Sequence, residues 1–218
     1  GLPLSILSAE EDAEVWVLEL GTSEPGEIQR LTNIAEPDDA VITTLNTGGS
    51  YNLLFSGTTN TTTITNAVTF ANSGTVTLGD GGDDTLTFTG GVSALNTGPG
   101  AVNIGGDIVT GAGVNLGDGT LGVSVTADAT VSDTGAGTLN FGDLTLANGV
   151  TLTVGGGANN TINLDAVAGS GAGTSDLTIN TTGAVTVAEA VGTNIGTVTV
   201  TQSGGVTFDT TVDATAVT

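Results

Sequence analysis

Three aspartates in a glycine-rich segment are the residues of this sequence best suited to chemistry. Asp80, Asp83 and Asp84 lie within residues 79–87, whose sequence is GDGGDDTLT. Carboxylates and turn carbonyls are hard oxygen ligands of the kind that Ca²⁺ prefers. The spacing therefore predicts a candidate calcium site at Asp80, Asp83 and Asp84. A second, less complete copy surrounds Asp118 in residues 116–120.

The segment resembles the calcium-binding nonapeptide of RTX-type repeats, Gly-Gly-x-Gly-x-Asp-x-apolar-x. It departs from that pattern where Asp80 stands in place of the second glycine. Sites of this kind form between successive coils of a repeat, and the sequence holds one good copy. A glycine–aspartate turn without a metal explains the same residues, so both interpretations stay open.

Composition excludes most other site chemistry. The 218 residues contain no Cys and no His, which rules out a thiol nucleophile, a disulfide, a Cys/His zinc site and imidazole acid–base catalysis. One basic residue against 23 acidic residues gives a net charge of −22. Such a chain repels phosphate backbones and anionic lipids, so we expect no nucleic-acid partner. No apolar run approaches the ~20 residues of a membrane-spanning helix, so we expect no membrane insertion of this segment.

Catalysis by paired carboxylates is not expected either. Asp83 and Asp84 are the only adjacent acidic pair in residues 46–218, and neighbours in a strand point to opposite faces. No cluster of basic or Tyr side chains accompanies them. We therefore predict no catalytic residues, no enzyme activity and no cofactor beyond the candidate Ca²⁺.

The elements that carry these residues fall into two unlike pieces. Residues 1–45 hold 10 of the 23 acidic residues, the only Trp and three Gly, whereas residues 46–218 hold 33 Gly and 13 acidic residues. The change falls at residues 46–50, a turn-like Asn-Thr-Gly-Gly-Ser. We predict two domains, 1–45 and 46–218, within what we expect to be a longer polypeptide.

The first piece has the pattern of a β-α-β segment. Residues 15–18 form a short apolar run typical of a buried strand, and residues 40–42 begin a second one. Between them, Ser23 is a candidate helix cap, and apolar residues recur at helical spacing as far as Ala35. At about 45 residues this piece is too small for a comfortable core of its own. We expect it to cap the first coil of the repeats.

This piece resembles the central domain of Mur ligases, in the branch that adds D-alanyl-D-alanine to the peptidoglycan precursor. The resemblance rests on Leu2-Pro3-Leu4, Glu19-Leu20-Gly21, Pro25-Gly26-Glu27-Ile28, Leu31, Ile34-Ala35, Pro37-Asp38 and Ala40-Val41-Ile42-Thr43. It implies an ancestral ATP-dependent amide ligase, with Glu19 at a Mg²⁺ position. The chain has no Lys, so the phosphate-cradling Gly-Lys-Thr loop is absent. A solvated carboxylate at a strand end is the other interpretation of Glu19.

The second piece repeats. Residues 176–187 align without gaps on residues 197–208, an offset of 21, and Val191 and Val212 continue the alignment. Apolar residues alternate with Thr between Gly, Asn and Asp turns. This pattern predicts a mainly β fold: a parallel β-solenoid of about eight coils, roughly 40 Å long. Val, Leu and Ile side chains then fill the interior of the solenoid, its bore, which is too narrow for aromatic side chains in successive coils. Thr side chains face outward. A compact antiparallel sandwich is the structural alternative.

Pairs of threonines separated by one residue recur in these strands. They occupy 75 and 77, 85 and 87, 151 and 153, and 197, 199 and 201. Flat hydroxyl arrays of that kind suit ice-binding solenoids, although Thr also favours outward strand positions for its own sake. The copies are not in strict register along the sequence, so we expect an irregular array.

Residues 46–218 also resemble the repeats of filamentous-haemagglutinin-like and autotransporter adhesins, in composition and rhythm. This resemblance implies a right-handed parallel β-helix that is secreted or held on a bacterial surface and adheres to glycans, matrix or other cells. Self-association through the ends of the solenoid is a further expectation. If the Mur ligase resemblance is the better guide, the location is cytoplasmic and the chain is an inactive remnant of a ligase.

Overall fold

The computed structural model describes residues 40–42, 45, 47–55, 61–171, 173–192 and 194–218. The chain divides into two compact units, residues 1–40 and 41–218. The strand predicted at residues 15–18, the helix predicted between Ser23 and Ala35, and Glu19 lie outside the described residues. The strand predicted at residues 40–42 is present.

The described residues form 22 strands and no helix. The strands are β1 (Ala40–Ile42), β2 (Leu53–Phe55), β3 (Thr61–Ile64), β4 (Val68–Thr69), β5 (Thr75–Leu78), β6 (Thr85–Phe88), β7 (Val92–Ala94), β8 (Ala101–Ile104), β9 (Asp107–Thr110), β10 (Val114–Leu116), β11 (Val123–Val125), β12 (Ala129–Asp133), β13 (Thr138–Phe141), β14 (Leu144–Leu146), β15 (Thr151–Val154), β16 (Thr161–Leu164), β17 (Val167–Gly169), β18 (Ser175–Asn180), β19 (Ala184–Val187), β20 (Ile195–Gln202), β21 (Gly205–Phe208) and β22 (Ala216–Val217). Within this part of the chain, no helix is long and apolar enough to cross a membrane.

The strands build three parallel sheets of nine, seven and six strands. From β2 to β19 the chain visits the six-, nine- and seven-stranded sheets in turn, so from β5 to β19 each strand pairs with the strand three places earlier in sequence order. The last pairs, β18 with β20, β19 with β21 and β20 with β22, are two places apart. Near the end, isolated bridges from Val167 to Val191 and from Val191 to Val212 continue the six-stranded sheet. This topology confirms the parallel β-solenoid and excludes the antiparallel sandwich. Its handedness stays a prediction.

The solenoid has about seven coils rather than the eight expected, because most coils are longer than 21 residues. Thr75 pairs with Ala101, 26 residues on, whereas Val123 pairs with Leu144, 21 residues on. The offset of 21 found in the sequence is confirmed for the coils that revealed it. Leu177 pairs with Val198, and Val187 pairs with Phe208.

The core lies inside the three sheets and consists mainly of Val, Leu and Ile. In β15, for example, Leu152 and Val154 are fully buried, while Thr151 and Thr153 keep partial contact with solvent. The same alternation runs through β5, β6, β8, β9 and β13. Each fully buried aliphatic side chain stabilises the fold by about 1.5–3 kcal/mol relative to an exposed one. The predicted inward Val, Leu and Ile and outward Thr are thus confirmed in these strands, except in β9, where Thr110 is buried and Val109 faces outward.

The expectation that aromatic side chains do not fit repeatedly into the bore was wrong for the first described coils. Phe55, Phe70 and Phe88 come from the three different sides and pack edge to face, with ring centroids 6.2 to 6.5 Å apart. Edge-to-face packing places the positive ring edge against the negative ring face. Three rings therefore fill one stretch of the bore that aliphatic side chains fill elsewhere.

Candidate functional site

Every strand of the seven-stranded sheet contributes a small polar side chain to one register position on the outer face of the sheet. We call this set the hydroxyl–amide row. Direct strand pairing places its members in register over seven strands. They are Thr69, Ser93, Asn115, Asn140, Asn163, Thr186 and Thr207. Within the row, Asn163 Nδ2 donates a hydrogen bond of 2.7 Å to Asn140 Oδ1.

A shallow groove of about 370 Å³ accompanies the first half of this row, across β4, β7, β10 and β13. Its polar lining is Thr69, Ser93, Asn115, Thr138 and Asn140, and its small lining residues are Ala67, Gly90, Gly91, Ala112 and Gly113. Gly113 has φ +93°, and a Cβ there would lie 2.7 Å from the carbonyl oxygen of Thr138. Glycine is therefore required at this position, and three residues without a side chain, Gly90, Gly91 and Gly113, line the groove. The described residues that line it include no charged side chain.

A second row runs along the outer face of the nine-stranded sheet, and we call it the threonine row. Its members are Thr85, Asp107, Thr130, Thr153, Thr178 and Thr199. Each lies one coil beyond the previous one, so neighbours are separated by about the 4.8 Å that divides paired strands.

The threonine row corrects part of the sequence interpretation. The Thr-x-Thr motifs are not in register with one another. The second threonine of the motif at 151 and 153 lies in the row, whereas in the motif at 85 and 87 it is the first. One threonine from each of the 85, 151 and 197 motifs nevertheless falls in a common row. Coil length varies, so no fixed sequence offset aligns the motifs. The threonines of the row are nevertheless paired in register in the sheet. The motif at 75 and 77 lies on the six-stranded sheet.

Aspartate side chains join successive coils beside the threonine row. The backbone N–H of Thr130 donates to Asp107 Oδ1 at 3.1 Å, and that of Thr151 donates to Asp128 Oδ1 at 2.8 Å. In the same way, Thr197 N donates to Asp176 Oδ1 at 2.7 Å. A carboxylate acceptor makes such hydrogen bonds stronger than neutral ones. Sequence reasoning missed this role, because the partner lies 21 to 23 residues away.

The candidate calcium residues lie in the turn between β5 and β6. Asp84 is 3% exposed, and its Oδ2 accepts hydrogen bonds from the backbone N–H of Asp80 at 2.8 Å and of Gly81 at 3.3 Å. Its Oδ1 is buried without a hydrogen-bond partner. Asp80 and Asp83 are exposed. The turn therefore brings Asp80 and Asp84 together and uses one carboxylate oxygen of Asp84 to close itself.

Charge accumulates in this turn. Partial desolvation of the carboxyl group raises the pKa of Asp80, and a side-chain hydrogen bond to Asp84 and the Asp84 charge raise it further. Among the residues that the structure describes, no three acidic side chains are grouped so that they could hold a metal ion. The calcium site at Asp80, Asp83 and Asp84 stays a prediction, as does the Mg²⁺ position at Glu19.

Asp118, the second acidic turn, binds backbone groups on both sides. Its Oδ1 accepts from Thr120 N and Leu121 N, each at 2.9 Å, and its Oδ2 accepts from Asn96 N at 2.8 Å in the preceding coil. These hydrogen bonds, first that from Leu121, then those from Asn96 and Thr120, lower the pKa of Asp118. This aspartate closes its own turn and links it to the coil before.

A buried polar network occupies the corner between the nine- and seven-stranded sheets. Asp133 is 1% exposed, and its carboxylate accepts hydrogen bonds from the Thr110 hydroxyl at 2.8 Å and from Asn160 Nδ2 at 3.3 Å. Three backbone N–H groups, those of Gly113, Gly135 and Gly137, complete its shell at 2.7, 2.8 and 3.0 Å.

The network extends one coil further through Thr181. The Thr181 hydroxyl lies 2.6 Å from Asn160 O and 2.9 Å from Ala158 O, and it accepts from Asn160 N at 3.1 Å. We call Thr110, Asp133, Asn160 and Thr181 the corner network. Burial by itself raises the pKa of Asp133, but the hydrogen bonds from Thr110, Gly137, Gly113 and Gly135 outweigh it, and the net pKa is lowered. Asp133 is therefore ionised at neutral pH and holds the corner together.

Together these features define a repeat protein of the parallel β-solenoid class. No protein-family model matches the chain, and no solved structure matches it. A UDP-N-acetylmuramoyl-tripeptide–D-alanyl-D-alanine ligase of Bacillus subtilis (strain 168) is 51% identical over 45 residues. That match covers 21% of this chain, and the chain spans only about 10% of the ligase. It supports the presence of a Mur ligase fragment.

Proposed function

We propose that residues 46–218 form a non-catalytic structural and adhesive rod that presents polar rows to glycans, matrix or other cells. The observation that carries this proposal is the hydroxyl–amide row, which stays in register over seven strands above a buried aliphatic core. Each coil adds one hydroxyl or amide, so contacts that are individually weak are made many times.

The proposal places the protein outside the cell, secreted or on a bacterial surface. The adhesin resemblance of the repeats supports this location. The charge of −22 keeps an extended rod soluble, since like-charged rods repel one another. Treating source cells with an acid-specific protease, followed by mass spectrometry, tests it. Solenoid peptides released from intact cells are expected, and their recovery only after lysis would contradict an external location.

Adhesion itself is tested with the purified full chain coupled to fluorescent beads. We expect retention of the beads on cells or on immobilised glycans or matrix proteins, and lower retention when soluble protein competes. Beads that carry the chain after heat denaturation are the control. Equal retention of native and denatured beads on every surface would overturn the adhesive role.

An inactive Mur ligase remnant is the alternative proposal for residues 1–45. The match of 51% over 45 residues favours it. A chain without Lys offers no lysine for the bound nucleotide phosphates, so we expect no ATP hydrolysis. ATP turnover that Glu19→Gln abolishes would instead establish an active nucleotide site.

The threonine row favours ice binding as a second candidate function. Five threonines in six register positions place hydroxyl and methyl groups at one regular spacing. An ice-recrystallisation assay tests this candidate with Thr153→Lys, in the middle of the row. Thr145→Lys, on the six-stranded sheet, is the matched control. Inhibition that Thr153→Lys removes and Thr145→Lys keeps would support it, and no inhibition by the unmodified protein would exclude it.

A further inference from the structure

We propose that the groove beside the hydroxyl–amide row is a binding site for a linear, uncharged polysaccharide. This inference rests on the proposed adhesive function and assigns it a face and a ligand class. The groove crosses β4, β7, β10 and β13, so it follows the axis of the solenoid for three strand spacings, about 14 Å.

Charge selects the ligand. The protein carries a net charge of −22, yet the described residues lining the groove are all uncharged. An anionic polysaccharide would be repelled by the whole molecule, and a cationic one would find no carboxylate in the groove. A neutral chain of hydroxyl groups meets neither obstacle. It pairs with hydroxyl and amide side chains, which both donate and accept hydrogen bonds.

Spacing selects a linear chain. Thr69, Ser93, Asn115 and Asn140 follow one another in register, one per coil. Their separation of about 4.8 Å is comparable to the length of one pyranose residue. A straight sugar chain along the axis therefore meets one polar side chain per sugar residue. The small lining residues, among them Gly91 and Ala112, leave room for the width of the ring.

The absence of an aromatic side chain from the described lining sets the strength of the site. Without a ring for the sugar to stack on, binding depends on hydrogen bonds, each worth about 1 kcal/mol net. One groove binds weakly, and several rods on one surface bind the same polysaccharide strongly.

Affinity electrophoresis of the full chain tests the inference. Native gels contain dextran, galactomannan or a soluble β-glucan, with alginate as the anionic comparison. We expect retardation by at least one neutral polysaccharide and none by alginate. Because the ligand is uncharged, the retardation should be the same at low and at high salt.

Variants locate the site. Asn115→Asp keeps the side-chain shape and adds a charge to the groove, so the affinity should fall about fivefold or more. Asn103→Asp makes the same change on the six-stranded sheet, at the outward position between Thr77 and Ser124, and should bind normally. Thr69→Asp, at an exposed groove position, repeats the test if Asn115→Asp does not fold.

The outcomes separate the inference from the proposed function. If a neutral polysaccharide retards the unmodified protein, Asn115→Asp and Asn103→Asp to the same extent, the adhesive role stands and this groove is not the binding site. If no neutral polysaccharide retards the protein while beads still adhere to cells or matrix proteins, the ligand class is wrong. Failure of both assays overturns the adhesive role as well.

Discussion

At the scale of single residues, aspartate carboxylates accept hydrogen bonds mainly from backbone N–H groups. Asp107, Asp128 and Asp176 join neighbouring coils, and Asp84 and Asp118 close turns. Strands stacked in parallel satisfy their own backbone, but the corners between them do not. Part of the acidic composition is thus accounted for by corner N–H groups rather than by a ligand.

Asp133→Asn should lower the free energy of unfolding at neutral pH by about 2–4 kcal/mol. The amide oxygen is a weaker acceptor than the carboxylate, and the amide NH2 group would face N–H and O–H groups that are themselves donors. Urea unfolding followed by circular dichroism measures this. Asp209→Asn, at an exposed position, is the control and should change little. Equal effects of the two variants would contradict the role of the corner network.

Acid should weaken the native protein through the same residue. The folded pKa of Asp133 lies below its ordinary value of 3.8, so its contribution is complete above that pH and is lost as the pH falls through the folded pKa. Asp80 has the opposite effect on stability. Its pKa is raised in the folded protein, so its protonation stabilises the fold as the pH falls toward the ordinary pKa of an aspartate. Melting temperatures from pH 6 down to about pH 2.5 should fall less steeply for Asp133→Asn than for the unmodified protein.

Asp84→Ala should destabilise the protein even with a chelator present, by about 1–2 kcal/mol, because the N–H groups of Asp80 and Gly81 lose their acceptor. The same melting experiment with added Ca²⁺ tests the candidate site. A calcium-dependent rise in Tm that Asp84→Ala abolishes would support Ca²⁺ binding, and the absence of any rise would remove the site. Asp83→Ala, at an exposed neighbour, separates closing of the turn from ligation.

At the scale of the strands, alternation should decide the cost of substitution. Leu152→Ala removes a fully buried side chain and should cost about 2–5 kcal/mol. Thr153→Ala changes its outward neighbour in the same strand and should cost less than about 1 kcal/mol. Unfolding free energies of the two variants measure the contrast. Similar costs would contradict the inside–outside assignment of β15.

The strands could be predicted from sequence because alternation is local. Thr151 to Val154 shows its two faces without knowledge of any other coil. The contacts between coils could not be predicted, since coil length varies and no fixed offset finds the partner. Asp133 reaches back 23 residues to Thr110 and forward 27 residues to Asn160. The corner network and the groove were therefore missed, whereas the repeat of 21 was found where two adjacent coils share that length.

At the scale of the whole molecule, a net charge of −22 opposes the compact state. Raising NaCl from about 10 to about 200 mM should screen this repulsion and raise Tm by about 3–6 °C at neutral pH. Near pH 4.1, the isoelectric point expected from the sequence, the net repulsion vanishes and the effect should disappear. A Tm that falls with salt at neutral pH would show instead that screening of the aspartate hydrogen bonds dominates.

The corner network also has a mechanical consequence. When force is applied to the end of the solenoid, coils that are held to their neighbours only by strand pairing detach one after another. Thr110, Asp133, Asn160 and Thr181 belong to four consecutive coils and share one chain of buried hydrogen bonds. Peeling that begins beyond Thr181 must therefore break a buried charged contact before it can pass Asp133. The network resists this detachment, so force applied to the end of the solenoid should extend it in steps, and the step that breaks the corner network should need the largest force.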